Sequence, residues 1–292
     1  MQAGRLRSEV VPVVVPMSNP LVYNIPAKQI DAFRGRNVIV RSAEPAELVY
    51  SVWRTVPGAI RFIQLLSTPA DSSVLEGVAE ALPVEIVLKN PGVEYVQLYN
   101  YTNLIDTHPV RVAIPVVPGF SKAAKLAVSL NFAVKLELQQ PDSSLLEELV
   151  AVLDLYLHRS SVRHPIEPFH SLLVSFYQGE TVSLWEVLEE DPAIVRYITD
   201  DGEETISRRF SGQKLDHDLG EFVSRFGEKL VSEDAECHDC EFFNRCGGYF
   251  KWPDKNYKCD GVKKLFRTLQ SAAAEIHQDL VPMELAEARA QS

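Results

Sequence analysis

The sequence predicts an α/β fold, a parallel sheet with helices on its outside arranged as a partial (β/α) barrel, followed by a small cysteine-rich segment and a C-terminal helix. Two observations carry this. Apolar runs of strand length alternate with helix-length stretches over residues 37–158, the pattern of repeated strand–helix units. All four cysteines of the chain, Cys237, Cys240, Cys246 and Cys259, fall in one stretch, CHDCEFFNRCGGYFKWPDKNYKC.

In order, residues 1–36 read as an N-terminal arm. Its run VVPVVVP at 10–16 is β-branched but broken by proline, so it suits an edge strand that LVYN at 21–24 pairs with. The barrel region then spans 37–214. NVIVR is its first strand, followed by a helix that Ser42 caps, with Pro45 in its first turn. AIRFIQLL is the next strand, SSVLEGVAEAL (72–82) the next helix, and PVEIVLK a strand; YVQLYNY fits either type. VRVAIPV, GFSKAAKLAVSL and AVKLEL read as strand, helix and strand. DSSLLEELVAVLDLYLH (142–158) is the clearest helix, with an acidic start and apolar residues at helical spacing. Residues 158–180 read as a loop. A helix then ends before Pro192, AIVRYIT is a strand, and Asp201–Gly202 turns the chain into ETISRRF. The third part, 215–292, holds a linking helix (216–231), the cysteines, and an amphipathic helix at 261–280 whose stripe is Val262, Leu265, Phe266 and Leu269; the last dozen residues read as loose.

An open doubly wound sheet gives similar periodicity, but no glycine-rich phosphate loop follows a strand; Gly119, beside Pro118, reads as a turn. A net charge of −11 and a pI near 5.2 argue against nucleic acid and anionic membranes, and fit a basic partner or peptide. No apolar run is long enough to span a bilayer, and nothing in the sequence marks export, so a cytoplasmic home is expected.

The spacing C-x2-C-x5-C-x12-C brings four soft thiolate donors within reach of one another. Gly247 and Gly248, directly after Cys246, permit a tight turn with backbone amides aimed at sulfur. Phe242, Phe243, Tyr249, Phe250, Trp252 and Tyr257 supply a dry wrapping, which favours an iron–sulfur cluster over a structural Zn2+. Zinc ribbons more often pair two C-x2-C knuckles, and only one occurs here, though zinc stays open as the alternative. Disulfides do not suit a chain long enough to build a core without staples.

This segment resembles the C-terminal auxiliary-cluster region, the SPASM or twitch type, of radical S-adenosylmethionine (SAM) peptide-modifying enzymes. In that family a C-x2-C-x5-C run and a more distant cysteine ligate the outer auxiliary [4Fe-4S] cluster, and Cys237, Cys240, Cys246 and Cys259 match it one for one. Members with two auxiliary clusters carry a cysteine four positions after the third; here Phe250 stands there, so the resemblance implies one cluster. It also implies a partial (β/α)6 barrel. The family's C-x3-C-x2-C loop, which leaves one iron open for SAM, has no counterpart because no cysteine precedes Cys237. SAM binding and radical cleavage are therefore not expected.

Among other groups, His158, His164 and His170 with Glu167 read as incidental loop residues, since their spacing fits no single helical face. The run Glu186, Glu189, Glu190 and Asp191 reads as a solvated helix face, and Arg196, Arg208 and Arg209 as a weak anion clamp. Three functions follow: a redox or substrate-binding partner in peptide or cofactor maturation, engaging a peptide or a maturation enzyme; a zinc-stapled peptide- or protein-binding module; and an enzyme using strand-end groups such as Lys135 or Glu137.

Overall fold

The computed structural model describes residues 21–55, 58–79, 81–207, 218–233 and 235–290. The strand expected at 10–16, Arg208 and Arg209 lie outside the described residues, as do parts of the ETISRRF strand and of the linking helix.

Among the described residues nine strands form one sheet in the order β7-β6-β5-β4-β3-β2-β1-β8-β9. These are β1 (Val22–Pro26), β2 (Asn37–Ser42), β3 (Ile60–Leu65), β4 (Val84–Val87), β5 (Val110–Pro115), β6 (Ala133–Glu137), β7 (Ile166–Glu167), β8 (Val195–Ile198) and β9 (Glu204–Thr205). Every pairing is parallel except β8 with β9. Neighbouring strands follow chain order from β1 to β7, and the chain then returns to lay β8 against β1. The LVYN stretch therefore does not belong to an edge: β1 is flanked on both sides and all five of its residues are buried.

The helices are α1 (Pro45–Trp53), α2 (Pro91–Glu94), α3 (Phe120–Ser129), α4 (Ser143–His158), α5 (Phe169–Gln178), α6 (Leu184–Val187), α7 (Phe222–Glu233), α8 (Ala235–His238), α9 (Phe243–Cys246) and α10 (Asp260–Ala290). Asp142 caps α4 by accepting the amide of Leu145 at 2.9 Å, as its acidic start predicts. Ser42 does not cap α1. It ends β2, accepts the amide of Glu44 at 3.0 Å and donates to Glu47 at 2.5 Å, while Pro45 opens the helix.

Three expectations change. The helix expected over 72–82 is a short 3-10 turn, Ser73–Gly77, because Ser72 donates its hydroxyl to the carbonyl of Asn100 and the chain is extended again at Val78. The YVQLYNY stretch, which fits either type in sequence, lies in a 3-10 helix, Tyr95–Asp106. The 158–180 loop contains β7 and α5, which the prolines at 165 and 168 conceal in the sequence pattern. At the C-terminus α10 continues to Ala290 rather than loosening, and its stripe Val262, Leu265, Phe266 and Leu269 is buried as expected.

Strand alternation separates two faces. Tyr23, Ile25, Val38, Val40, Ile63, Leu65, Ile86, Val112, Ile114, Val134 and Leu136 join the main core under the helices. The opposite face has a small apolar cluster of Val22, Ile39 and Val195, beside which lies a polar network. Asn24 donates to Gln64 at 2.7 Å, Gln64 to Glu85 at 2.5 Å, Arg111 pairs with Glu85 at 2.5 Å and Glu189 at 3.0 Å, and Lys135 with Glu189 at 2.7 Å. Glu189 thus belongs to a partly buried ion-pair network, not a solvated face: two cations offset the partial removal of its carboxylate from water.

Candidate metal centre

The cysteine segment docks beyond the C-terminal end of β6. Tyr249 donates its hydroxyl to the Leu138 carbonyl at 2.7 Å, and Tyr257 to that of Pro141 at 2.7 Å. Gln140 donates to the carbonyls of Phe250 at 2.9 Å and Asp254 at 2.7 Å. From the other side Trp185 of α6 donates its indole N–H to Gly247 O at 2.9 Å, and Arg245 bonds the Ser175 hydroxyl at 2.9 Å while lying over the Phe176 ring. Helix α10 packs along α5 and α4, which fixes Cys259 at its start.

Local folding brings the thiols together. Cys237 lies in α8 and its carbonyl accepts the amide of Cys240 at 3.3 Å, so the C-x2-C pair forms one tight turn. The α9 turn ends in Cys246, followed by Gly247 at φ +55° and Gly248 at φ +75°. Side chains rarely adopt two such values in succession, and a Cβ on Gly248 would collide with Leu230. The reversal brings the amides of Gly248, Tyr249 and Phe250 near the sulfur of Cys246, where they favour its charged form. Cys259 immediately precedes α10, whose N-terminal dipole favours negative charge at that sulfur.

One cavity is lined by all four cysteines, with Phe242, Phe243, Phe250, Val262 and Phe266 as its dry wall. No disulfide joins them. Three charged residues also line it: Glu236, Lys251 and Lys263. Burial pushes the Cys246 thiol up, and its proximity to Cys240 adds to this against the pull of the amides. Burial, with Cys246 and Glu236 next, pushes the Cys259 thiol up to about 12. Thiols that raise one another in this way have been brought close; a bound cation reverses the balance and takes them as thiolates.

No three His, Cys, Asp or Glu side chains among the described residues form a group that could hold a single metal ion. A tetrahedral zinc ion, with Zn–S about 2.3 Å, draws its sulfurs to about 3.8 Å from one another. A cubane cluster takes one thiolate at each iron and spreads the four sulfurs more widely. In donor type, dry wall and nearby amides, the residues present fit a cluster.

The histidines do not converge. His158 pairs with Asp154 at 3.0 Å in solvent, His164 is exposed, and His170 shares a hydrogen with the Tyr156 hydroxyl at 2.8 Å. Arg196 of the expected clamp pairs with Glu204 at 2.9 Å. Lys135 is no candidate base. Burial alone would lower its pKa, but Glu189 and Glu85 outweigh burial and hold it protonated. Burial likewise would raise Glu189, yet Arg111 and Lys135 bring it down to about 2.

Sequence reasoning missed the charged part of the cysteine cavity. Glu236, directly before Cys237, gives no local signal within the acidic stretch SEDAE, and only Lys251, a charge inside an aromatic run, hints at a buried ion pair.

Among the described residues no helix is long and apolar enough to cross a membrane. No protein-family model, no curated protein and no solved structure matches the chain.

Proposed function

We propose that the chain binds one [4Fe-4S] cluster through Cys237, Cys240, Cys246 and Cys259. In this reading it is a relative of the radical SAM peptide-modifying enzymes that does not cleave SAM, acting as a redox or substrate-binding partner in peptide or cofactor maturation in the cytoplasm. The observation that carries the reading is the lining of one dry cavity by every thiol of the chain. Strand order supports the partial barrel: seven parallel strands run in chain order and an eighth returns to the first, as in a barrel left open on one side. A bound cluster would supply one-electron transfer. The protein's part is to exclude water with Phe242, Phe250 and Phe266 and to hold four sulfurs, which leaves no iron open and favours relay over direct substrate ligation. The net charge of −11 suits a basic peptide or partner.

Anaerobic purification followed by iron and sulfide analysis tests this. About four irons and four sulfides per chain are expected, with a broad visible absorption that dithionite bleaches and that Cys246→Ser removes. A colourless protein with one zinc per chain would overturn the reading in favour of a zinc-stapled binding module.

A further inference from the structure

Glu236, directly before Cys237, meets Lys251 from inside the ligand segment and Lys263 from the start of α10. Its Oε2 accepts from Lys251 Nζ at 2.7 Å, and its Oε1 from Lys263 Nζ at 2.9 Å and from the amide of Cys259 at 3.2 Å. Lys251 is 3% exposed and also donates to the Tyr257 carbonyl at 2.9 Å. A lysine this deep is rarely tolerated without a counter-charge, and here one carboxylate is shared between two ammonium groups. This triad is therefore net positive, and all three residues line the same cavity as the four thiols.

We propose that the net positive charge of the Glu236, Lys251 and Lys263 triad, set in the wall of the cavity that the thiolates share, favours the reduced state of the bound centre. The inference rests on the cluster reading above and adds to it which residues set the potential. Four thiolates around an oxidised [4Fe-4S] core make a dianion, and one electron from an external one-electron donor makes a trianion with no bond formed or broken. In a cavity walled by phenylalanine the added charge is poorly screened, so neighbouring cations lower the energy of the trianion more than that of the dianion. A purely structural ion pair would hold the segment together without regard to the electron count.

The test is the midpoint potential of the cluster, read by dye-mediated titration with the visible and electron paramagnetic resonance signals, in wild type, Lys263→Gln, Lys263→Arg and Glu236→Gln. Lys263 is the more exposed lysine and tolerates substitution best. Lys263→Gln is expected to disfavour reduction about tenfold, a downward shift of about 59 mV for one electron. Lys263→Arg keeps the charge and stays near wild type, and Glu236→Gln, which removes a negative charge, shifts the potential upward. Iron-loaded variants with unchanged potentials, or with Lys263→Gln and Glu236→Gln moving in the same direction, would overturn the inference while leaving the cluster standing. Should Glu236→Gln fail to fold, the Lys263 pair decides alone. A wild type without iron overturns the cluster reading and this inference together.

Discussion

Tyr249 and Leu138 meet through a hydrogen bond of 2.7 Å between phenol and carbonyl, both groups buried and 111 residues apart. The bond fastens the turn after Cys246 to the end of β6, so the position of the cavity depends on the sheet and not only on the cysteines. Tyr249→Phe keeps the ring against Trp185 and Phe250 but leaves the Leu138 carbonyl buried without this donor. A loss of about 1–3 kcal/mol is expected in urea denaturation. It should come with faster exchange of the amides of 247–250 than in the rest of the chain. Uniform exchange would show that the bond does not anchor the segment.

If the proposed cluster is present, iron content should separate the cysteines from the histidines. Cys240→Ala and Cys259→Ala should each lose most of the bound iron and loosen the start of α10. His158→Ala and His170→Ala should retain it, because these rings face Asp154 and Tyr156 rather than the cavity. Elemental analysis of the four variants prepared in parallel checks both halves, and iron lost from a histidine variant would reopen the histidine region as a ligand source.

Strand and helix periodicity made most of the sheet legible, from Asn37 through Glu137 and again at Val195. It failed where local pattern and tertiary demand part company. Val22–Pro26 looked like part of an arm because proline surrounds it, yet it is a central strand whose ladder needs no amide from Pro26. Ile166–Glu167 is only two residues long and is held by pairing with β6, which no periodicity reveals. That the four thiols share one cavity was legible because their spacing is a local property. The pairing of Glu236 with Lys251 and Lys263 was not, because it depends on how α8, the 249–251 turn and the start of α10 come together. Glu189 was misread for a related reason: four acids in six residues look solvated until the sheet supplies Arg111 and Lys135.

The Glu189–Lys135 pair gives a double-substitution test. Lys135 is 4% exposed on its side chain, so Glu189→Gln leaves a buried ammonium short of its nearest counter-charge and should cost roughly 3–5 kcal/mol. Glu189→Met with Lys135→Met removes both charges, and Arg111 retains Glu85. The double variant should therefore recover much of what either single change loses, a coupling of about 1–3 kcal/mol in the cycle. Additive losses would mean that the two groups do not depend on each other.

The same pair sets an acid limit. Glu189 has a folded-state pKa near 2, below the unfolded value of about 4.3, so the unfolded chain binds its proton first. Its contribution to stability is fully present above about pH 5 and is lost as the pH falls through 4 toward 2. Lys135 acts in the opposite direction: its folded pKa is raised, so its contribution is present below about pH 10 and is lost only in strong alkali. Between these limits the pair adds no pH dependence. Urea midpoints measured from pH 6 to pH 3 should fall more steeply for wild type than for the Glu189→Met, Lys135→Met double variant. Parallel slopes would mean that the carboxylate titrates alike in the folded and unfolded chain, and that its buried partners do not hold it ionised.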